Sequence, residues 1–407
     1  MPRGFFHESE LLAMRGKPVQ MAPRCEICRL YKTCISPKMP VTGEGRLGVL
    51  VVAEAPGAKE DERNTQLVGK AGQKLRQILK RIDVDLDRDC WKTNSLICRP
   101  PHNRTPTDEE MGHCRPHLVE TIEKYQPHCI IPLGEIALKQ VIGPYWNEEF
   151  GGIGRWAGFR IPLQPLNTWV CPTWHPSYLE REKNEVLDLW FERHLEEALK
   201  LTRRPWKEAP DYKSHVEQLT EASDVLDSMV DYEGMAAIDY ETNMLKPDNE
   251  RGVIVSASVT WGRAKPERCI AYPMTPSNVE ATRRFLRSPI PKIAANLIFE
   301  ERWSMCKLGT RVRNWTFDTM QAAHNLDNRP GVTGLDFVAF TQLGLPTYSS
   351  HIKPLLKAKG ATVNQILEEI SLRQLLEYNG LDTWTEFEIA VSQMKRLGMA
   401  PPWKEKR

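Results

Sequence analysis

Arg46-Leu-Gly-Val-Leu-Val-Val52, followed at once by Ala53-Glu54-Ala-Pro-Gly57, decides the fold of the first half of the chain. An apolar run of this kind reads as a strand buried on both faces, as in a parallel sheet. The acid, proline and glycine directly after it end the strand in a polar turn. Working outward, residues 91–98 form a second strand that runs into the loop Thr93-Asn-Ser-Leu-Ile-Cys-Arg-Pro-Pro-His-Asn-Arg104. Pro100 and Pro101 keep this loop extended and outside any helix or central strand. Cys129-Ile-Ile-Pro-Leu gives a third strand, and Trp169-Val-Cys a fourth that leads to Trp174-His-Pro-Ser177. Helices are expected over Lys70–Lys80, over Glu135–Ile142, and from the capping box Thr107/Glu110 to about Tyr125. Residues 185–202 supply a charged amphipathic helix that closes the unit. Strands alternating with helices define an α/β unit, a parallel sheet with helices on both faces. In such sheets ligands bind off the carboxyl ends of the strands. The polar turns at 54–61, 94–104 and 174–177 therefore converge on one edge.

A chain of 407 residues is too long for one ordinary core, so two domains are expected. A formal charge of only +2 leaves no global basic field, and nucleic-acid binding would have to use local basic stripes. No apolar run approaches the ~20 residues of a membrane helix. The first residues lack the apolar core of a signal peptide, which points to the cytoplasm. Eight of the ten cysteines precede residue 172, a clustering that favours a metal or cluster site over disulfides. Cys25 and Cys28 form a Cys-x-x-Cys pair, and Cys98 and Cys114 are their candidate partners. Four thiolates can hold an iron–sulfur cluster or zinc, and spacing alone leaves both open. Cys129, Cys171, Cys269 and Cys306 sit in apolar contexts and read as buried thiols.

Arg203-Arg-Pro-Trp-Lys-Glu-Ala-Pro210 reads as a linker, placing domains at 1–202 and 212–407 with 203–211 between them. The second domain begins with a helix over Ser214–Met229. Strands follow at Met235–Tyr240, Val253–Val259 and Cys269–Tyr272, then a helix at 277–287, a strand at Lys292–Ala295 and helices to the end. Ile238-Asp-Tyr-Glu-Thr242 puts Asp239 and Glu241 on one face of a strand, as shared metal ligands require. Ala295-Asn-Leu-Ile-Phe-Glu-Glu301 brings a third acid, Glu300, at a strand-to-helix junction. Tyr378 and Asp382 stand at i and i+4 on one helix. Singly each piece is common, since Asp-x-Glu is frequent and Tyr-x3-Asp is usually a surface pair. Together they supply the hard oxygen ligands of two-metal phosphodiester hydrolysis. One Mg2+ (or Mn2+) would activate water and the other would stabilise the leaving 3′ oxygen, with Tyr378 orienting the water. Asp318, in Phe-Asp-Thr-Met, reads as a helix cap.

Six ordered motifs over about residues 22–200 resemble a family 4 uracil-DNA glycosylase. They are Cys25-x-x-Cys28, Glu54-Ala-Pro-Gly-x-x-Glu-Asp61, Leu67-Val-Gly-Lys-Ala-Gly-Gln73, Asn94-x3-Cys-Arg-Pro-Pro-x-Asn-Arg104, Cys114 and His175-Pro-Ser177. The resemblance implies a [4Fe–4S] cluster on Cys25, Cys28, Cys98 and Cys114. It also implies a base-reading Asn94, a second amide at Asn103, and catalytic positions at Glu54 and His175. The chemistry agrees: an extruded uracil needs an amide on its N3–H and O4 edge. A neutral histidine near O2 would stabilise the departing anion. Glu54 or Asp61 would face the cationic sugar or orient water. A lone histidine is more often a core residue, but His175 follows a strand in a polar turn. Two departures stand out. Leu67 replaces the ring that stacks on the flipped base, a loss of about 1–3 kcal/mol. Ala53 replaces a glycine, and its methyl is expected to crowd the pocket.

Residues 211–400 resemble the tyrosine-containing branch of the DEDD 3′–5′ exonucleases, most nearly the proofreading domain of family A DNA polymerases. That resemblance implies a ribonuclease H-like mixed sheet, metal positions at Asp239, Glu241, Glu300 and Asp382, and a substrate contact at Asn296. Glu300 stands where the family has aspartate. The expected function is a metal-dependent 3′–5′ DNA exonuclease fused to a glycosylase. Its partners would be single-stranded 3′ ends, uracil-containing DNA and a separate DNA polymerase chain, with no membrane. Its expected location is the cytoplasm, of a host cell if the source is viral. The alternative is a replication accessory whose first domain only binds DNA or a polymerase.

Overall fold

The computed structural model describes residues 24–349, 352–357 and 363–403. They divide into two compact units. One contains the described residues up to Ala209 together with Thr341–Pro346, and the other contains Pro210–Phe340 and the described residues from Thr347 on.

The first unit is built on a five-stranded sheet of order β2-β1-β3-β5-β4. β1 is Val49–Ala53, β2 Cys90–Asn94, β3 Cys129–Pro132, β4 Ile161–Leu163 and β5 Thr168–Val170. Every residue of β1 is buried, because β1 is central and covered on both faces. β1 pairs in parallel with both β2 and β3, and β3 in parallel with β5. The chain thus leaves β2 on one side of β1 and re-enters as β3 on the other. That reversal opens a crevice at the carboxyl ends of the strands, where doubly wound sheets bind ligands. β2 is shorter than expected and ends at Asn94, after which Ser95 and Leu96 still donate backbone hydrogen bonds to the carbonyls of Ala53 and Glu54. The sheet also has an antiparallel edge, β4 on β5, absent from the sequence reading. Pro162 lies inside β4, and an edge strand is where proline is tolerated.

The helix Lys70–Arg81 buries Gly72, Leu75, Ile78 and Leu79 on one stripe. Its glycine is dictated by packing. Leu67 sits at a left-handed φ of 52°, and a Cβ on Gly72 would lie 1.8 Å from the Leu67 carbonyl oxygen. The helix Asp108–Tyr125 carries the expected capping box between Thr107 and Glu110.

The second unit holds a six-stranded mixed sheet of order β11-β10-β7-β8-β9-β6. The strands are β6 Val216–Gln218, β7 Met235–Thr242, β8 Ile254–Gly262, β9 Pro266–Pro273, β10 Lys292–Ala294 and β11 Trp315–Asp318. β7, β8 and β9 form an antiparallel meander, while β10 and β11 add in parallel beside β7. The helix expected over Ser214–Met229 is not formed. Val216–Gln218 pairs with β9 as a parallel edge strand, and only Ser223–Ser228 is α-helical. Apolar residues at Val216, Leu219, Ala222 and Leu226 mimic a helical stripe, and edge pairing overrides it.

The helix Leu372–Arg396 begins at a capping box made by Ser371 and Gln374 and packs along β8, β9 and β7. The seam beneath it is polar. Ser256 Oγ donates to Asn379 Oδ1 at 3.0 Å, Ser258 Oγ to the Asn379 carbonyl at 2.7 Å, and Thr260 meets Thr383 at 2.9 Å, all buried. Such bonds lock the helix against sliding by one turn, because every shifted register leaves buried hydroxyls unpaired. Cys306, read as a buried thiol, is exposed instead. No helix among the described residues is long and apolar enough to cross a membrane.

Glycine-to-alanine changes usually stabilise a helix interior by about 1 kcal/mol. Gly72→Ala is expected to do the reverse and destabilise the first unit by roughly 1–3 kcal/mol through the clash with Leu67. Calorimetry would show a melting transition lowered by several degrees, and a raised transition would contradict the packing described.

Candidate functional site

In the first unit the strand ends bring the polar turns together. Ala53 pairs with Asn94 across β1 and β2, Leu133 N–H donates to Val52, and Gly134 N–H donates to Thr173. A Cβ on Gly134 would lie 3.1 Å from the His175 Cβ, so the turn after β3 runs hard against His175. Nδ1 of His175 accepts the Ser177 backbone N–H at 3.2 Å and lies 2.7 Å from Ser177 Oγ. A ring nitrogen that accepts an amide N–H carries no proton, so Nε2 is the donor of the neutral ring. Burial, with Arg181 adding to it, pushes the His175 pKa down to about 4 against an opposing pull from Glu60. The ring is therefore a neutral donor at physiological pH.

Glu54, half-buried at the end of β1, has its carboxyl pushed up by burial, and Arg181 partly offsets the rise. Asn94 is buried and donates one amide N–H to Gln66 Oε1, while Gln66 Nε2 donates to the Pro40 carbonyl at 3.1 Å. This tether fixes the amide plane and occupies one of its two N–H groups. Gln66 carried no signal in the sequence beyond its place beside Leu67. Glu60 was also missed. It accepts the Gly69 N–H at 2.6 Å and would lie within 2.8 Å of a Cβ on Gly57, so it ties the turn after β1 to the start of the helix Lys70–Arg81.

Four expectations need correction. Asp61 is 1 % exposed and accepts the backbone N–H groups of Ile35 and Ser36 at 3.1 and 2.8 Å, with Arg99 3.7 Å away. Its oxygens anchor the 34–36 segment and do not face the crevice. Asn103 is exposed, and its Oδ1 accepts from Arg99 Nε at 2.7 Å, so it braces the proline loop. Leu67 and Ala53 are both buried within the unit's apolar core. The Ala53 methyl therefore packs inward and does not crowd the crevice, and Leu67 offers no free face for stacking.

Cys25, Cys28, Cys98 and Cys114 line one small cavity together with Leu30, Leu96, His113 and His117. Lys38 N–H points at Cys98 Sγ from 3.3 Å and Ile97 N–H at Cys114 Sγ from 3.5 Å. Burial pushes the thiols of Cys98 and Cys114 up to about 12. Four sulfurs around one apolar space, two of them receiving amide N–H groups, fit an iron–sulfur cluster, whose positive iron would offset the thiolate desolvation. Cys34 packs beside this group without lining the cavity.

In the second unit Asp239, Glu241 and Asp382 offer carboxylate oxygens that all lie within 4.8 Å of one another. β7 points Asp239 and Glu241 to the same face, and the helix Leu372–Arg396 delivers Asp382. Asn379 Nδ2 donates to Asp239 Oδ2 at 2.6 Å, and Tyr348 donates to Asp382 Oδ1. Neither residue was singled out in the sequence, where Asn379 sits inside Tyr378-Asn-Gly-Leu-Asp382 and Tyr348 lies in an unpatterned stretch. Tyr378 is half-buried on the same helix face, and its ring centroid lies 6.1 Å from that of Tyr348. Burial and the neighbouring Asp382 hold its hydroxyl protonated.

Glu300 is outside the trio but shares with Asp239 and Asn296 the wall of a cavity of about 240 Å3. Glu301 turns away and accepts from Val312 N–H and Trp315 Nε1, both at 3.0 Å. Asp318 caps the helix Thr319–Leu326 and also accepts the Asn296 and Leu297 N–H groups. Burial pushes Asp239 up to about 7, opposed by Asn379. Burial and then mutual repulsion hold Glu241, Asp382 and Glu300 well above the carboxylate range. A hard divalent cation relieves such repulsion, so this oxygen set fits Mg2+ or Mn2+.

Polar turns thus meet at the carboxyl edge of a doubly wound sheet, and the same unit holds a four-cysteine cavity. A model of the uracil DNA glycosylase superfamily matches residues 40–200. A type-4 uracil-DNA glycosylase of Pyrobaculum aerophilum is 37% identical over 171 residues, covering 40% of this chain and 83% of that protein. The chain belongs to the type-4 uracil-DNA glycosylase family. It is also similar to a DNA polymerase of Bacillus phage SP01, 32% identical over 102 residues, or 25% of this chain and 11% of that one. Escherichia coli RNase D, an exoribonuclease, superposes over 45% of each chain with a TM-score of 0.35 and 15% identity.

With its pKa pushed below the ordinary value, His175 stays neutral as pH falls through 6.5 while the unfolded chain takes up a proton. Its stabilising effect is then present above about pH 6.5 and lost as the pH drops toward 4. Nitrogen-15 spectra should show one neutral imidazole, protonated on Nε2, down to about pH 5. A ring titrating near 6.5 would contradict this.

Proposed function

We propose that the chain is a uracil-DNA glycosylase joined to a metal-dependent 3′–5′ DNA exonuclease of the proofreading type. The single observation that carries the first activity is membership of the type-4 uracil-DNA glycosylase family. The convergence of Asp239, Glu241 and Asp382 carries the second. The two activities divide at the proline-containing stretch 203–211, with 1–202 serving one and 212–407 the other.

In the first unit uracil leaves the stack and presents its edge to Asn94. The C1′–N1 bond breaks, its electrons go to the base, and the His175 Nε2–H stabilises the charge at O2. Water adds to C1′, and Glu54 takes up the water's proton. Cys25, Cys28, Cys98 and Cys114 would hold a [4Fe–4S] cluster, which supplies a structural clamp on the proline loop.

In the second unit Asp239, Glu241, Asp382 and Glu300 would hold Mg2+ or Mn2+, which supplies Lewis acidity and charge neutralisation when bound. Tyr378, kept protonated, orients the attacking water. Asn296 meets the substrate strand. Phosphodiester hydrolysis then places the water oxygen on phosphorus and returns a proton to the 3′ oxygen. The substrates are single-stranded 3′ ends and uracil-containing DNA, and a separate polymerase chain is the proposed partner.

A second reading has one observation in its favour. Leu67 is buried where the family stacks a ring, which suits a unit that holds DNA or a polymerase without excising uracil. Oligonucleotide assays separate the two readings. Alkali-labile sites should appear at uracil and fall by about 10²–10³-fold in His175→Ala. A 3′-labelled strand should shorten with Mg2+ and resist Asp239→Ala. Intact uracil DNA would favour the holding unit, and an undigested 3′ end with the parent protein would overturn the exonuclease.

A further inference from the structure

Asn379 is 0 % exposed in the interior of the helix Leu372–Arg396. Asparagine is a poor helix former, and each polar atom it buries needs a partner. Those partners lie on the acidic face of the sheet. Nδ2 donates to Asp239 Oδ2 at 2.6 Å and to the Asp239 carbonyl at 3.4 Å, while Oδ1 accepts from Ser256 Oγ at 3.0 Å. In the register of β7 and β8, Ser256 stands opposite Glu241 and Ser258 opposite Asp239. A row of buried hydroxyls therefore runs beside the row of acids on one face of the sheet. Turned over, the amide would set Oδ1 against the Asp239 carboxylate, acceptor against acceptor. The Ser256 hydroxyl holds the orientation seen by giving Oδ1 a donor.

We propose that Ser256 and Asn379 form a relay that positions Asp239 for the divalent cation. Ser256 holds the amide, and the amide holds one of the three carboxylates whose oxygens lie within 4.8 Å of one another. This rests on the metal-dependent reading of the second unit. Both are positioning residues, since neither belongs to the trio that offers oxygens to the ion. Among the described residues Ser256 Oγ bonds to no carboxylate, so its influence on the cation runs through Asn379. The relay also joins two functions in one side chain. The amide that keeps the helix from sliding on β8 is the amide that sets the plane of the Asp239 carboxylate.

Mn2+ titration of the full chain by calorimetry, without DNA, tests the relay. Asp239→Asn gives the background binding of the rest of the protein, and the parent should bind Mn2+ above it. Asn379→Ala should bind about 10–100-fold less tightly, the loss that follows removal of an outer partner of a metal ligand. Ser256→Ala, which keeps the amide, should lose about threefold or more. The double variant should bind no more weakly than Asn379→Ala alone, because Ser256 then has no amide left to hold. A purely structural role would leave the affinity unmoved or make the two losses add. Ser256→Ala is the milder change and decides the matter if Asn379→Ala does not fold. Parent-like Mn2+ affinity in either single variant, or additive losses in the double variant, overturns the relay alone. A parent that binds no Mn2+ above background overturns the metal-dependent reading, and the relay with it.

Discussion

Repulsion among carboxylates buried on one face of the second sheet is the constraint on which that unit depends. Asp239, Glu241 and Asp382 converge from a strand and a long helix, Glu300 stands on the cavity wall beside Asp239, and no lysine or arginine pairs with them among the described residues. Such an arrangement opens up unless the elements are held by other means. The buried hydroxyls of Ser256, Ser258 and Thr260 provide those means by bonding to Asn379 and Thr383. The same Asn379 donates to Asp239. One side chain therefore fixes the helix register and orients a carboxylate, which makes it a positioning residue. The repulsion itself becomes a preorganised attraction for a hard cation.

The first unit solves a different problem, which is holding loops without regular structure at the ends of strands. Its solutions are local acids and amides. Glu60 ties Gly69 back toward Gly57, Asp61 gathers the Ile35 and Ser36 amides, and Gln66 tethers Asn94. Glu60, Asp61 and Gln66 thus each find a backbone or neighbouring-amide partner, as burial requires. The left-handed Leu67 and the Cβ-free Gly72 allow the loop and helix to touch. Leu67 contributes to the core.

Much of this was legible in the residues. The all-buried β1, the Thr107/Glu110 capping box and the glycosylase motifs follow from local pattern, and the doubly wound sheet follows from strand–helix alternation. What escaped reading depended on the partner rather than on the segment. Val216–Gln218 has a helical stripe but finds β9. Ile161-Pro-Leu163 is too short and proline-broken to announce a strand, yet its edge position tolerates both. Asp61 and Asn103 occupy motif positions, but their oxygens turn to Ile35, Ser36 and Arg99, and no spacing reveals that. Asn379 and Tyr348 acquire meaning only once the helix is seated on β7 and β8.

The central claim is that two chemically independent sites share one chain, one needing divalent cations and one not. A single strand carrying an internal uracil and a 3′ label tests it most directly, incubated with the protein in Mg2+ and then in excess EDTA. The account predicts alkali-labile cleavage at uracil in both conditions and shortening of the 3′ end in Mg2+ alone. Loss of uracil cleavage in EDTA, or 3′ shortening that survives it, would contradict the account.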